Sequence, residues 1–196
     1  MDSLNNSRHF FNKMAGKKYG NSDKLDIPIV KRINLEEKEN ILDIGCGDGR
    51  FLEKLSHIQE NSNYYGIDLS SNVINLAKKV KNINFSVGES EKLNFDNNYL
   101  DKIFCLNSFH HFPNIEKSLA EMERVIKIGG EIIIGDIWIP PVFRELTNLY
   151  LPHSKSGDVK IYSKKDILSL ISPLNLKLIS FEVLFPTLFI LKLKKI

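Results

Sequence analysis

Short apolar runs alternate along this chain with stretches whose apolar positions recur at helical spacing. Residues 40–44, 64–68, 83–87, 100–106 and 131–136 are runs of the first kind, and Ile132, Ile133 and Ile134 predict a strand buried on both faces. Between them, Val73, Leu76, Ala77 and Val80 stand at i, i+3, i+4 and i+7 behind Ser70, a ready N-cap. Residues 48–58 predict a helix after the first strand. Ile115, Leu119, Met122, and Val125 or Ile126 predict another from Asn114 to Lys127, ended by Gly129 and Gly130. Ser163 and Asp166 start a further helix as a capping box with Asp in place of Glu, and it stops at Pro173. Residues 176–184 and 188–195 are the last two strands, and the link through Phe185 and Pro186 is so short that the two must be antiparallel.

The sum is a strand–helix alternation closed by a hairpin. It predicts an α/β chain with a Rossmann-like, doubly wound, seven-stranded and mostly parallel sheet, the last strand antiparallel, with helices on both faces. No repeat, low-complexity tract or linker divides it, so residues 1–196 read as one domain. Two segments stand outside the alternation. Residues 1–33 read as a helical cover: an amphipathic helix over 7–20 with Phe10, Phe11, Met14 and Tyr19, then a helix over 22–33 that Ser22 or Asp23 caps and Pro28 disturbs. This cover either lies on the core or acts as a lid over a ligand. Residues 137–162, with Trp138, Pro140, Pro141, Phe143, Tyr150 and His153, hold one short helix and form a substrate-side segment. Its aromatics either line an apolar pocket or pack as a cover.

Composition narrows the classes. With 42% hydrophobic and 26% charged residues, the chain is of ordinary globular make-up. A net charge of +3 is mild, and the basic run Lys192, Lys194 and Lys195 reads as a solvated strand end, so neither a nucleic-acid partner nor a membrane is expected. Two cysteines, Cys46 and Cys105, make neither a disulfide framework nor a zinc spacing. No basic-then-apolar leader and no apolar run of the ~20 residues needed to cross a bilayer is visible, which reads as a soluble cytoplasmic protein.

The chemistry concentrates at Ile41-Leu42-Asp43-Ile44-Gly45-Cys46-Gly47-Asp48-Gly49-Arg50, a strand that turns on glycines into a helix. Such turns bring backbone N–H groups to nucleotide-like ligands. Here Asp43 and Asp48 crowd the turn with carboxylates, which a pyrophosphate would meet as like charges. A dinucleotide fingerprint also wants Gly or Ala where Arg50 stands. The turn therefore suits a nucleoside without phosphates, and a cationic one.

Further segments extend the pattern: Gly66-Ile67-Asp68-Leu69-Ser70, Gly88-Glu89-Ser90-Glu91-Lys92-Leu93, Phe109-His110-His111-Phe112 and Ile128-Gly129-Gly130. With the glycine turn, in this order and at these elements, they make the chain resemble class I S-adenosylmethionine-dependent methyltransferases, in particular the small-molecule, ubiquinone/menaquinone-biosynthesis-like group. The resemblance spans nearly the whole chain. It implies S-adenosylmethionine as cofactor, with S-adenosylhomocysteine as its product. Gly45, Cys46 and Gly47 would let the backbone approach its methionine part, and Asp43 would accept from its ammonium. Asp68 would take the ribose hydroxyls, two acceptors for two adjacent donors. Leu69 and Val73 would pack on adenine, whose edge would meet Glu89, in place of the family's usual Asp, and the Ser90 N–H. The Asn107 carbonyl would meet the ammonium, and Tyr19 would close over the methionine end.

In-line transfer from a sulfonium needs alignment more than a catalytic group, and a base only where the acceptor has a proton to lose. His111, His110 and Asp136 stand where strands four and five end, near the expected methyl, and are the candidate catalytic residues; packing, capping or turn roles are open for each. No Asn/Asp-Pro-Pro-Tyr motif follows strand four, and no proline precedes Cys105, which argues against planar amino nitrogens and pyrimidine carbons. The expected acceptor is a small molecule, methylated on O, N or C. A non-catalytic cofactor-binding subunit and a tRNA or protein methyltransferase stay open, as does the choice between monomer and dimer. No metal is expected.

Overall fold

The computed structural model describes residues 3–17, 23–184 and 186–196. Seven strands form one sheet: β1 (Asn40–Ile44), β2 (Asn63–Asp68), β3 (Asn84–Val87), β4 (Leu100–Leu106), β5 (Ile126–Ile137), β6 (Leu176–Leu184) and β7 (Leu188–Lys195), in the order β3-β2-β1-β4-β5-β7-β6. The pairs among β1 to β5 are parallel, and β7 lies antiparallel between β5 and β6.

Because side chains alternate across a strand, neighbouring residues feed opposite layers. Leu42, Ile103, Ile132 and Ile134 join one core with α5 (Ile115–Val125) and α7 (Lys164–Ile171). Ile41, Phe104 and Ile133 join the other, with α2 (Asp23–Val30), α3 (Arg50–Ile58) and α4 (Ser71–Ala77). The caps are those the sequence offers. Ser70 accepts from the Val73 N–H, and Ser163 and Asp166 complete a reciprocal capping box. The first helix, α1 (Ser3–Met14), begins before residue 7; Tyr19 and Ser22 lie outside the described residues.

One boundary differs from expectation. The helix after β4 ends at Val125, and Gly129-Gly130 lie inside β5 instead of ending that helix. Register passes from Leu100↔Ile126 to Lys102↔Glu131, so β4 advances two residues while β5 advances five. The excess bulges where Gly129 takes φ +81° and where a Cβ on Gly130 would stand 2.8 Å from Ile126 Cγ1 and 2.9 Å from the Asp101 carbonyl. Glycine serves the bulge. Lys195 closes the same end by donating to the carbonyls of Glu123 (2.6 Å) and Ile126 (3.0 Å), so part of the basic C-terminal run is structural.

The strand order runs outward in both directions from β1 and β4. The carboxyl ends of these two strands therefore open a crevice at the switch point, the usual ligand position in open α/β sheets.

Candidate active site

A cavity of about 510 Å³ fills that crevice, roomy for a nucleoside-sized ligand. Its floor is the glycine turn. The N–H groups of Gly45 and Cys46 both donate to the Ile67 carbonyl, at 2.8 and 3.0 Å, that of Gly47 donates to Asp68 Oδ2, and that of Gly49 to the Cys46 carbonyl. These donors are spent inside the protein, so the turn does not offer a pyrophosphate the row of N–H groups it would need. Gly45 has φ +77°, and a Cβ there would stand 2.5 Å from the Ser108 Cβ. Ser108 holds that close approach by donating to the Ile44 carbonyl at 2.8 Å.

Carboxylates surround this floor. Asp43 is 2% exposed, and its Oδ1 has no hydrogen-bond partner among the described residues. Burial, then the neighbouring Asp26 and Asp68 charges, push its pKa well above the usual carboxylate range. An orphaned carboxylate oxygen among like charges is stabilised by a cation or a proton. Asp26, on α2, is ion-paired with Lys54 at 2.9 Å. Asp68 is raised by burial, opposed by the N–H groups of Ser70, Gly47 and Leu69. Oδ2 accepts the Gly47 N–H at 3.1 Å and Oδ1 the Ser70 N–H at 2.9 Å, and a carboxylate with about four acceptor sites keeps lone pairs for a ligand. Glu89, at the end of β3, pairs with Arg8 of α1 at 2.9 Å and so ties the helical cover to the rim. Burial, then the Asp43 and Asp68 charges, push the Cys46 thiol up and make it a poor nucleophile.

The other end is built by the 3₁₀ turn Phe109–His111 after β4. His111 lines the cavity, and the Phe11 ring of α1 meets its imidazole edge-on, with centroids 5.1 Å apart. Burial and the adjacent His110 lower the His111 pKa to about 4, against the pull of Asp158 and Asp136, so the ring is neutral at physiological pH. For His110, burial acts downward, but the charge and hydrogen bond of Asp136, with Asp158, outweigh it and raise the pKa. Asp136 Oδ1 takes His110 Nδ1 at 2.6 Å while Oδ2 takes the His110 N–H at 2.9 Å.

Every described residue that the resemblance assigns to the cofactor lines this cavity: Asp43, Gly45, Cys46, Gly47, Asp68, Leu69, Val73, Glu89, Ser90 and Asn107. The expected catalytic trio divides. Among the described residues, His111 reaches the cavity, whereas His110 and Asp136 are buried behind it and hold each other. The aromatics of 137–162 also depart from the pocket-lining reading. Phe143 and Tyr150, on α6 (Pro141–Tyr150), are 64% and 74% exposed, and Trp138 packs on the core.

Sequence reading missed Asp26, Ser108 and Asp158. Asp158 stands 3.1 Å from His111 Nδ1 and 3.5 Å from His110 Nε2. Its signal was the turn-forming run Ser154, Ser156, Gly157 and Asp158 in an otherwise irregular stretch.

A family model described as a methyltransferase domain matches residues 42–134. The uncharacterized methyltransferase YcgJ of Bacillus subtilis is 30% identical over 129 residues, 61% of this chain and 50% of that protein. Demethylmenaquinone methyltransferase of Staphylococcus epidermidis is 26% identical over 156 residues, 76% and 61% of the two chains. The crystal structure of B. subtilis YcgJ has a TM-score of 0.70 at 25% identity, covering 81% of this chain and 71% of that one. The chain spans about half the length of the first curated relatives it matches.

Proposed function

We propose that this chain, whose residues 42–134 match a methyltransferase-domain family model, is a class I S-adenosylmethionine-dependent methyltransferase that transfers a methyl group from that cofactor to a small-molecule acceptor. The observation that carries the reading is Asp43 Oδ1, without a partner among the described residues and buried among acids over a turn whose Gly45, Cys46, Gly47 and Gly49 N–H groups are spent. A ligand with an ammonium and no phosphate fits this donor set; a dinucleotide does not.

When bound, S-adenosylmethionine supplies a methyl on a sulfonium, a leaving group good enough that transfer depends on alignment. The chain's part is to hold the reactants. Asp43 accepts from the ammonium, Asp68 takes the ribose hydroxyls on its remaining lone pairs, Leu69 and Val73 flank the adenine, and Glu89 and Ser90 meet its edge. Asn107, in left-handed backbone at φ 51°, contributes its carbonyl near the methionine end. The acceptor meets the methyl beside His111, with Phe11 and Phe112 supplying apolar wall. The domain of 1–196 then works as one unit, with α1 as a cover that Arg8 fastens to Glu89. The relative named demethylmenaquinone methyltransferase supports a small-molecule acceptor.

The test is equilibrium binding of S-adenosylmethionine against NADH to the same preparation. Saturable S-adenosylmethionine binding with no NADH binding is expected. NADH binding without S-adenosylmethionine binding would overturn the reading.

A further inference from the structure

His110, His111 and Asp158 bring three candidate donor atoms together at the acceptor end of the cavity. Asp136 is committed as an acceptor: Oδ1 takes His110 Nδ1 and the Ile137 N–H, both at 2.6 Å, and Oδ2 takes the His110 N–H. The hydrogen is therefore on His110 Nδ1, and Nε2 faces the other way, 3.5 Å from Asp158 Oδ1. Asp158 Oδ2 accepts the hydroxyls of Ser154 and Ser156, each at 2.6 Å, which leaves Oδ1 turned to the histidines. His111 Nδ1 lies 3.1 Å from that same Oδ1, yet it has no hydrogen-bond partner among the described residues.

Two of the three separations are those of ligands around a shared ion. Donors ~2.0–2.1 Å from a metal at tetrahedral angles stand roughly 3.3 Å apart, between the two distances here, and all three candidate donor atoms lie within 4.8 Å of one another. The surroundings are also those of a metal site. A carboxylate fixes the tautomer of one histidine, and hydroxyls hold the ligating carboxylate, as second-layer partners do.

We propose that His110, His111 and Asp158 bind a divalent first-row transition cation at the acceptor end of the cavity. Two imidazoles and one carboxylate favour an ion of the zinc or cobalt type over calcium or magnesium, which prefer all-oxygen sites. Three protein ligands leave the coordination open, and His111 puts the open side at the cavity.

The site stands on this geometry alone; its use rests on the methyltransferase reading. An acceptor hydroxyl or amine that joins the cation loses its proton to solvent more readily. Its oxygen or nitrogen then bonds the methyl as the sulfur–methyl bond breaks and the sulfur leaves as a thioether. The cation thereby takes the place of the free base expected of His111.

The experiment uses the untagged, chelator-treated full chain. Zn²⁺ is titrated by calorimetry, and Co²⁺ by its visible absorption. One equivalent should bind with bands of a nitrogen–oxygen site. Asp158→Asn and His111→Gln should weaken Zn²⁺ binding at least about a hundredfold, and Asp136→Asn about ten- to a hundredfold through His110. Retained S-adenosylmethionine binding by each variant shows that it is folded. No saturable binding, thiolate charge-transfer bands, or Asp158→Asn binding Zn²⁺ like wild type would overturn the proposal. Metal-stripped wild type separates the two readings. If it binds S-adenosylmethionine while the chain takes up no Zn²⁺, the cation site alone fails. If it takes up Zn²⁺ but no S-adenosylmethionine, the methyltransferase reading fails and the acceptor role with it.

Discussion

In the proposed function Asp43 is the residue on which recognition turns, and burial and two neighbouring acids hold its carboxyl above the ordinary range. In the ligand-free fold the folded pKa exceeds the unfolded one, so folded protein keeps a proton that the unfolded chain has released. The stability this gives is full below the ordinary carboxylate range and falls as pH rises through it toward the raised value. An ammonium placed beside Asp43 reverses the preference. S-adenosylmethionine binding should release a proton, and affinity should rise with pH through the raised value. Calorimetry in buffers of different ionisation enthalpy reads that proton, and Asp43→Asn should abolish it. Gly45 offers a steric counterpart. A Cβ there meets Ser108 at 2.5 Å in a left-handed backbone, so Gly45→Ala should cost about 1–3 kcal/mol in urea unfolding. A neutral result would show that Ser108 can move aside. Asp43, Gly45 and Asp68 were legible because strand, turn and acid are adjacent in the chain. Asp26 and Asp158 were not, since each reaches the site from an element whose own pattern says nothing of its neighbours.

Elements were legible where the period and the cap agreed. Ser163 and Asp166 announced α7, and both bonds of the box are present. Ser163→Ala should therefore lower stability by about 1 kcal/mol in denaturant unfolding. The start of β5 was missed because two glycines after a helical run look like a terminator, whereas the chain needs them for a bulge against Asp101. Helix α6 falls in the stretch where one short helix was expected, and its aromatics left pocket lining and packed cover both open. None of its residues is buried, and Phe143 and Leu149 face outward, 64% and 70% exposed. Replacing either with Ser should change stability by no more than about 0.5 kcal/mol and leave S-adenosylmethionine affinity as it is; a tenfold loss of affinity would restore the pocket-lining reading.

At the scale of the molecule, a doubly wound, mostly parallel sheet was readable from strand–helix alternation, and the short link at Phe185 and Pro186 required β6 and β7 to be antiparallel; the strand order, with β7 between β5 and β6, is what the structure adds. The order creates the switch point, and the switch point places Asp43 of β1, Asp68 of β2 and His111 after β4 around one cavity. Among the described residues, no helix is long and apolar enough to cross a membrane. What alternation leaves out is everything the irregular stretches bring in: the α1 cover through Arg8 and Phe11, and the 154–158 turn through Asp158. The central claim is that buried acids at this switch point read a cationic nucleoside. Comparing the affinities of S-adenosylmethionine and 5′-methylthioadenosine, which lacks the ammonium and the sulfonium, tests it most directly. The structure predicts at least about tenfold tighter binding of S-adenosylmethionine, worth about 1.4 kcal/mol, and loss of most of that difference in Asp43→Asn. Equal affinities for the two ligands in the wild-type chain would contradict it.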